Sequence, residues 1–126
     1  MLKKIGIVGT GMLGNAVGLH LLDSGFNLTV YNRTKSKTSE LQDKGAIVVD
    51  SPKEVASNSD LVFTIVKDAD AVQNVSFGKN GIIEGKHENL VVADMSTINP
   101  NSSREIAKRF KENGIIMLDT PVMEIG

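Results

Sequence analysis

The sequence of 126 residues contains no cysteine and no tryptophan, and its two histidines, His20 and His87, lie far apart in the chain. Without thiols the protein can form neither a disulfide framework nor a thiolate metal site. Two isolated histidines also lack the spacing of a zinc-binding motif. The composition therefore argues against a metal centre, and we expect no metal ligands in this chain.

An excess of charge of either sign is absent too. The chain has 14 Lys and Arg against 15 Asp and Glu, which gives a formal net charge of -1 and an isoelectric point near 6.1. Such a balance provides no long-range attraction to nucleic acid or to an anionic membrane. No apolar run approaches the roughly 18 residues of a membrane span, and the N-terminal lysines lead into a strand rather than into a signal-peptide core. We therefore expect a cytoplasmic protein without nucleic-acid or membrane partners.

Glycine, by contrast, is plentiful, and three of the 12 glycines form a G-x-G-x-x-G motif. Gly9, Gly11 and Gly14 directly follow the apolar run 5–8. In this motif the first glycine permits a tight turn from strand to helix, the second lets a pyrophosphate approach the backbone, and the third allows the helix to pack closely on the strand. The N–H groups at the start of the helix then bind phosphate. The predicted cofactor contacts in this loop are Gly9, Thr10, Gly11, Met12, Leu13 and Gly14.

Strand and helix patterns alternate through the rest of the chain. After the first strand, apolar segments predict strands over residues 27–31, 46–49, 61–66, 90–94 and 115–118. Helical spacing and capping signals predict helices over 12–24, 36–44, 69–75 and 99–113, and one beginning at Ser51-Pro52. Glycines within 77–88 predict a loop with one helical turn. The alternation is typical of an α/β, Rossmann-type doubly wound parallel sheet with strand order 3-2-1-4-5-6, formed by residues 1–120.

The segment after the second strand distinguishes between two cofactors. NAD-binding sites place an acidic residue there to hold the ribose 2′-hydroxyl, whereas NADP-binding sites replace it and add an arginine. This chain has a neutral amide, a guanidinium and a hydroxyl in Asn32-Arg33-Thr34, with Lys35 and Lys37 close by. Elsewhere such residues would be interpreted as a polar turn before a solvated helix. After a dinucleotide motif they favour NADP over NAD as the cofactor.

Six blocks of sequence, in this order, resemble the 3-hydroxyacid dehydrogenase family. That family includes 3-hydroxyisobutyrate dehydrogenase, glyoxylate/succinic semialdehyde reductase and the NADP-binding domain of 6-phosphogluconate dehydrogenase. Besides the glycine motif, the blocks are Asn32-Arg33-Thr34, residues 60–75, residues 78–85, Asp94-Met95-Ser96-Thr97 with Pro100, and Leu118-Asp119 with Pro121-Val122. The resemblance covers nearly the whole chain. It implies metal-free, NADP-dependent hydride exchange between a 3-hydroxyacid and its semialdehyde or keto form.

The resemblance also implies roles for particular residues. Val66 and Lys67 would lie along the ribose and nicotinamide of the cofactor, and Thr97 would lie beside the nicotinamide ring. Lys67 stands where the family often has proline, and it is either a solvated loop residue or a contact to ribose or phosphate. Met123 stands where the family has a serine that binds the substrate carboxylate, although a thioether cannot donate a hydrogen bond to that group.

The family's catalytic lysine belongs to a helical substrate domain, so we expect it beyond Gly126. Residues 121–126 would begin the connection to that domain. We therefore predict no catalytic residue in this chain, which alone would be inactive, and a homo-oligomer for the full-length protein. Two alternatives stay open. An NADP-dependent imine reductase shares the glycine motif and the Asn-Arg-Thr segment, and the same fold also serves as a non-catalytic NADP-binding sensor or interaction module.

Overall fold

The computed structural model describes residues 4–119, which contain a six-stranded parallel sheet. Its strands are β1 (Lys4–Val8), β2 (Asn27–Tyr31), β3 (Ile47–Val48), β4 (Leu61–Thr64), β5 (Val91–Asp94) and β6 (Ile116–Asp119). From edge to edge their order is β3-β2-β1-β4-β5-β6, which confirms the order expected from the sequence. Val8 at the end of β1 pairs with Tyr31 of β2 and with Thr64 of β4. The three central strands therefore end at one level, on either side of the point where the strand order reverses.

Helices connect these strands. In the described part of the chain they are α1 (Met12–Asp23), α2 (Ser39–Asp43), α3 (Pro52–Ser57), α4 (Ala69–Phe77) and α5 (Pro100–Glu112). A 3-10 turn, Lys35–Thr38, precedes α2, and a second one, Ile82–Gly85, precedes β5. The second of these is the helical turn that the sequence predicts inside the loop 77–88.

One face of the sheet is covered by α1 and α2. Ile5 and Ile7 of β1 pack there with Leu28 and Val30 of β2, and Leu41 of α2 is fully buried against them. Burial of each such side chain stabilises the fold by about 1.5–3 kcal/mol relative to an exposed position. This core holds the glycine motif of the β1–α1 connection above the first two strands.

The other face is covered by α3, α4 and α5. Val62 of β4 and Val92 of β5 belong to this second core, together with the fully buried Phe110 of α5. The two separate cores make the sheet the middle layer of three, as the doubly wound prediction requires. At the edge of the sheet, Ile116 and Leu118 on β6 are 64% and 50% exposed.

The helix predicted over 36–44 begins differently in the structure. Residues 35–38 form the 3-10 turn, and the α-helix is limited to Ser39–Asp43. The hydroxyl of Thr38 donates to the Lys35 carbonyl oxygen at 2.6 Å, and the Ser39 hydroxyl donates to the Ser36 carbonyl oxygen at 2.8 Å. Such local bonds from Ser and Thr compete with regular helical hydrogen bonding, which accounts for the tighter turn.

Some of the expectations from the sequence concern residues 120–126, which lie outside the described residues. These are the substrate position Met123 and the connection to a second domain. Within residues 4–119 no helix is long and apolar enough to cross a bilayer. The same residues contain no group of three His, Cys, Asp or Glu side chains close enough to hold a metal ion.

Candidate cofactor-binding site

A cleft of about 660 Å³ opens at the carboxyl ends of β1, β2 and β4. Its lining residues are Val8, Gly9, Gly11, Tyr31, Asn32, Arg33, Thr34, Lys37, Pro52, Ile65, Val66, Lys67, Ala71, Asn74, Val75 and Lys79. The cleft therefore lies at the reversal of strand order, which is where open α/β sheets bind their ligands. A smaller cavity of about 130 Å³ between α4 and α5 is lined in part by Arg109, which stacks on Phe77. Its size excludes a dinucleotide.

The three glycines of the motif serve two different purposes. Gly9 has a φ of +104°, and a Cβ added there would collide with the carbonyl oxygen of Ile65. A Cβ at Gly14 would collide with the carbonyl oxygen of Gly9. A Cβ at Gly11, by contrast, would meet no atom within 4 Å. The fold thus requires the first and third glycines, whereas the second faces open space that a side chain would fill.

The start of α1 offers backbone N–H groups to this space. Gly11 is the N-cap residue, and the helix start has no side-chain hydrogen bond to its first-turn N–H groups. Met12 and Leu13 belong to that first turn, and the side chain of Met12 is 94% exposed. Uncapped N–H groups and the helix dipole together form a binding site for an anion. The open space beside Gly11 therefore fits a phosphate or diphosphate group.

A hydrogen-bond pair ties the glycine loop to the end of β2. The Thr10 N–H donates to Asn32 Oδ1 at 2.8 Å, and the buried Thr10 hydroxyl donates to the Lys37 carbonyl oxygen at 3.1 Å. The Asn32 amide in turn donates to the Thr34 carbonyl oxygen at 3.0 Å. Asn32 thus uses both ends of its amide within the protein. Its structural effect is to hold the glycine loop and the Arg33 segment at a fixed spacing.

Four cationic side chains line the cleft: Arg33, Lys37, Lys67 and Lys79. Among the described lining residues there is no Asp or Glu. Lys35, which the sequence groups with Lys37, instead lies 3.0 Å from a carboxylate oxygen of Asp50, and both side chains are largely exposed outside the cleft. A cleft lined by charges of one sign concentrates ligands of the opposite sign. The arrangement therefore favours a ligand with several negative charges.

A buried polar network fixes the loop that follows β4. Asp94, which is fully buried, accepts hydrogen bonds from the Thr64 hydroxyl at 2.8 Å and from the Ser96 N–H at 3.2 Å. The Ser96 hydroxyl donates to the Thr64 carbonyl oxygen at 3.3 Å and accepts from the Val66 N–H at 2.9 Å. This network holds the segment that brings Val66 and Lys67 into the cleft.

The structure brings most of the predicted contacts together. Gly9, Gly11, Asn32, Arg33, Thr34, Val66 and Lys67 all line the cleft. Thr10 and Gly14 are buried behind it, Leu13 is half-buried on α1, and Met12 is exposed. Thr97 is exposed in the loop after β5 and is not one of the lining residues in this structure.

The sequence did not identify the wall that α3 and α4 form. We call five lining residues, which lie on α3, on α4 and in the loop directly after α4, the α3–α4 wall: Pro52, Ala71, Asn74, Val75 and Lys79. On α4 the lining positions have i, i+3, i+4 spacing, which places them on one helix face. That face differs from the buried one, which carries Val72 and Ser76. The spacing is the signal that could have indicated this wall.

Comparisons with known proteins agree with this geometry. The model of one protein family, described as the NAD binding domain of 6-phosphogluconate dehydrogenase, matches residues 4–123 of the chain. A protein of Arabidopsis thaliana named "Probable 3-hydroxyisobutyrate dehydrogenase-like 1, mitochondrial" is 42% identical over 120 residues, which cover 94% of this chain and 36% of that protein.

Two solved structures extend the likeness to three dimensions. The 3-hydroxyisobutyrate dehydrogenase of Salmonella typhimurium superposes with a TM-score of 0.86 at 27% identity, over 94% of this chain and 41% of that one. An imine reductase from Myxococcus stipitatus, solved in complex with NADP+, superposes with a TM-score of 0.83 at 25% identity, over 92% and 39%.

These matches cover nearly all of this chain but only part of each related protein. The chain spans about two fifths of the length of the curated relatives it matches. Its glycine loop, strand order and matched residues lead to one assignment. The chain belongs to the family of NAD-binding domains represented by that of 6-phosphogluconate dehydrogenase, which confirms the resemblance seen in the sequence.

Proposed function

We propose that this chain is the NADP-binding part of an oxidoreductase that interconverts a 3-hydroxyacid and its semialdehyde or keto form. The observation that carries the proposal is the composition of the cleft. The cleft contains the start of α1, which has no side-chain cap and lies beside the open space at Gly11. Its described lining residues include four cations and no carboxylate. NADP differs from NAD by an added phosphate, so positive charge at the end of β2 favours NADP.

Each part of the cofactor has suitable residues. The diphosphate would occupy the space beside Gly11, held by backbone N–H groups at the start of α1. Arg33 and Thr34 would hold the adenosine 2′-phosphate, with Lys37 adding charge from the same segment. Val66 and Lys67 would border the ribose and nicotinamide, with Thr97 beyond them. The bound nicotinamide would supply the hydride exchange itself.

The relatives support the substrate class. The Arabidopsis protein is named for 3-hydroxyisobutyrate dehydrogenase, as is the Salmonella structure. Hydride addition to a carbonyl leaves an alkoxide, and a positioned proton donor accelerates such a step by about 10²- to 10⁴-fold. We propose that this proton donor belongs to the region of the related enzymes that lies outside their match to this chain. The chain alone would then bind NADPH without turning over a hydroxyacid.

Isothermal titration calorimetry of the chain with NADPH and with NADH tests the cofactor assignment. NADPH should bind more tightly than NADH, and Arg33→Ala should weaken NADPH binding by about 1.5–3 kcal/mol, as expected for a charge-assisted contact. NADH binding should change much less. Arg104→Ala, at an exposed position of α5 outside the cleft, is the matched control. Equal affinity of the unmodified chain for the two cofactors would contradict the proposal.

A second candidate is supported by the likeness to the imine reductase, whose structure contains NADP+. Such an enzyme would use the same cofactor cleft and differ in its substrate. Steady-state assays of the full-length protein, with 3-hydroxyacids and semialdehydes in one series and cyclic imines in another, distinguish the two. Turnover of imines without turnover of hydroxyacids would favour the second candidate. A full-length protein that binds NADPH but turns over neither series would favour a sensor.

A further inference from the structure

The glycine-rich loop 78–85, which follows α4 and includes the second 3-10 turn, has a sterically fixed shape. A Cβ added at Gly78 would lie 2.6 Å from the Asn74 carbonyl oxygen, and one at Gly81 would lie 2.8 Å from the Gly78 carbonyl oxygen. A Cβ at Gly85 would collide with the carbonyl oxygen of Lys53. Real Cβ atoms essentially never approach other atoms within 3.0 Å. All three positions therefore require glycine.

A hydrogen bond fastens the same segment to the start of α3, since the Lys53 N–H donates to the Asn80 carbonyl oxygen at 2.8 Å. A second bond lies within the segment, where the Asn80 N–H donates to Glu84 Oε2 at 2.8 Å. Asn80 has a φ of 58°, in the left-handed region that asparagine adopts more readily than most residues. The loop is thus docked beside Pro52, which itself lines the cleft.

This docking places Lys79 in the cleft. Lys79 lines it as part of the α3–α4 wall, whereas Arg33 lines it from the segment after β2. The Lys79 side chain is exposed, and within residues 4–119 it takes part in no ion pair. A fixed backbone therefore presents a flexible, unneutralised ammonium group to the same cleft from a different element of the fold.

We propose that Lys79 contacts the adenosine 2′-phosphate of NADP from the α3–α4 wall, while Arg33 contacts it from the end of β2. The inference rests on the proposed NADP site and adds a residue that determines cofactor specificity. A phosphate monoester carries about 1.5–2 negative charges near neutral pH and three acceptor oxygens, so it can bind cations from more than one side. Arg33 and Lys37 belong to one segment of the fold, and Lys79 would add a cation from another. Lysine suits this position, because its compact charge on a flexible stem needs no bidentate geometry. The 2′-hydroxyl of NAD carries no charge and would gain nothing from Lys79.

Two cofactor fragments, ADP-ribose and 2′-phospho-ADP-ribose, test this inference because they differ only in the 2′-phosphate. Their affinities for the chain would be measured by isothermal titration calorimetry with Lys79→Gln and Lys79→Arg. Lys79→Gln should weaken binding of 2′-phospho-ADP-ribose about three- to tenfold, as for an exposed charge-assisted contact, and change binding of ADP-ribose by less than about twofold. Lys79→Arg keeps the positive charge and should retain most of the affinity.

The control variant is Lys111→Gln, which makes the same change of charge on α5, outside the cleft. The inference about Lys79 would be overturned if Lys79→Gln weakened both fragments equally, which would indicate a diphosphate contact, or if it weakened neither. It would also be overturned if Lys111→Gln had the same effect. Failure of the proposed NADP site looks different: the unmodified chain would then bind the two fragments equally or not at all.

Discussion

The amino-terminal ends of α1 and α4 follow neighbouring parallel strands, β1 and β4, and both border the cleft, but their first turns are satisfied differently. At α4 the Asp68 carboxylate accepts the Ala71 N–H at 2.8 Å. At α1 the cap residue is Gly11, which has no side chain to do so. The carboxylate of Asp68 therefore caps the start of α4, whereas the start of α1 is open to an anionic group of a ligand.

Two other helices follow the pattern of α4. The Ser51 hydroxyl accepts the Glu54 N–H at 3.2 Å at the start of α3, and Asn99 Oδ1 accepts the Ser102 N–H at 2.9 Å at the start of α5. Such a cap is worth about 1 kcal/mol. Helix α2 continues directly from a 3-10 turn, so its start is not a free helix end that needs a cap. The missing cap at α1 is thus a local exception, at the position where a dinucleotide would place its diphosphate.

The largest expected effect separates the two kinds of glycine in the loop before α1. Gly9→Ala should destabilise the chain by about 3–5 kcal/mol, because it combines left-handed strain with a collision against the Ile65 carbonyl oxygen. Gly11→Ala should change stability by less than about 1 kcal/mol, since its Cβ meets open space, but should weaken NADPH binding at least about tenfold. Urea denaturation and cofactor titration measure the two effects.

The distinction between the two glycines would be contradicted if Gly9→Ala and Gly11→Ala lowered the free energy of unfolding by similar amounts. It also fails if Gly11→Ala binds NADPH as well as the unmodified chain does, because the space beside Gly11 would then not hold the diphosphate.

A smaller effect concerns the segment that leads from β4 into α4. Ser96→Ala removes the oxygen that accepts the Val66 N–H, and should destabilise the chain by about 1–3 kcal/mol. Because Val66 lines the nicotinamide side of the cleft in our proposal, NADPH affinity should fall while affinity for 2′-phospho-ADP-ribose is retained. Ser57→Ala, which removes a hydroxyl at an exposed position of α3, is the control. Equal loss for NADPH and the fragment would contradict a local role for Ser96.

Removing the cap of α4 and adding one to α1 tests the comparison between these two helix starts directly. Asp68→Ala should cost about 1 kcal/mol of stability through loss of the α4 cap, without weakening NADPH binding. Gly11→Asp should give α1 a carboxylate cap, preserve or raise stability, and abolish NADPH binding, since the new charge occupies the anion site. Thermal denaturation and titration provide both measurements. NADPH binding by the Gly11→Asp variant would show that the helix start is not the diphosphate site.

The features predictable from the sequence are those encoded over short distances in the chain. The strand order follows from the alternation of strands and helices with a glycine motif in the first connection. Gly9, Gly11 and Arg33 were identified because the motif fixes their spacing from a strand end. Their arrangement in one cleft agrees with that prediction, whereas their contacts with the cofactor stay predictions.

The α3–α4 wall is only partly predictable in the same way, because the spacing on α4 is a local signal and the position of Lys79 is not. Lys79 is held at the cleft by a glycine-fixed loop that docks on the first turn of α3, which is a contact between distant segments. The same holds for the separation of Lys35 from Lys37, which depends on the partner Asp50. Tertiary contacts of this kind leave no periodic trace in the sequence.

The carboxyl end of α3 shows the opposite case, in which a side chain that can carry positive charge lies at a helix terminus. Nε2 of His87 lies 2.8 Å from the Ser59 carbonyl oxygen and 3.2 Å from that of Ala56, and Nδ1 lies 2.9 Å from that of Glu88. The hydrogen bond to Glu88 is the main cause that raises the pKa of His87 above its ordinary 6.5; those to Ser59 and Ala56 and the charge of Asp60 add to it and outweigh partial desolvation.

His87 should therefore stabilise the fold in a pH-dependent way, with the smallest of these effects. A raised pKa in the folded state means that the stabilisation is complete below pH 6.5 and is lost as the pH rises through the folded-state pKa. His87→Gln should lower the free energy of unfolding most near pH 5.5 and least near pH 8.5, by at most about 1 kcal/mol, the upper value for an exposed cation at a helix terminus. Thermal denaturation at each pH measures the effect. The control is His20→Gln, at an exposed position of α1, measured over the same pH range. A destabilisation by His87→Gln that did not change with pH would show that packing of the ring, and not its charge, supports the end of α3.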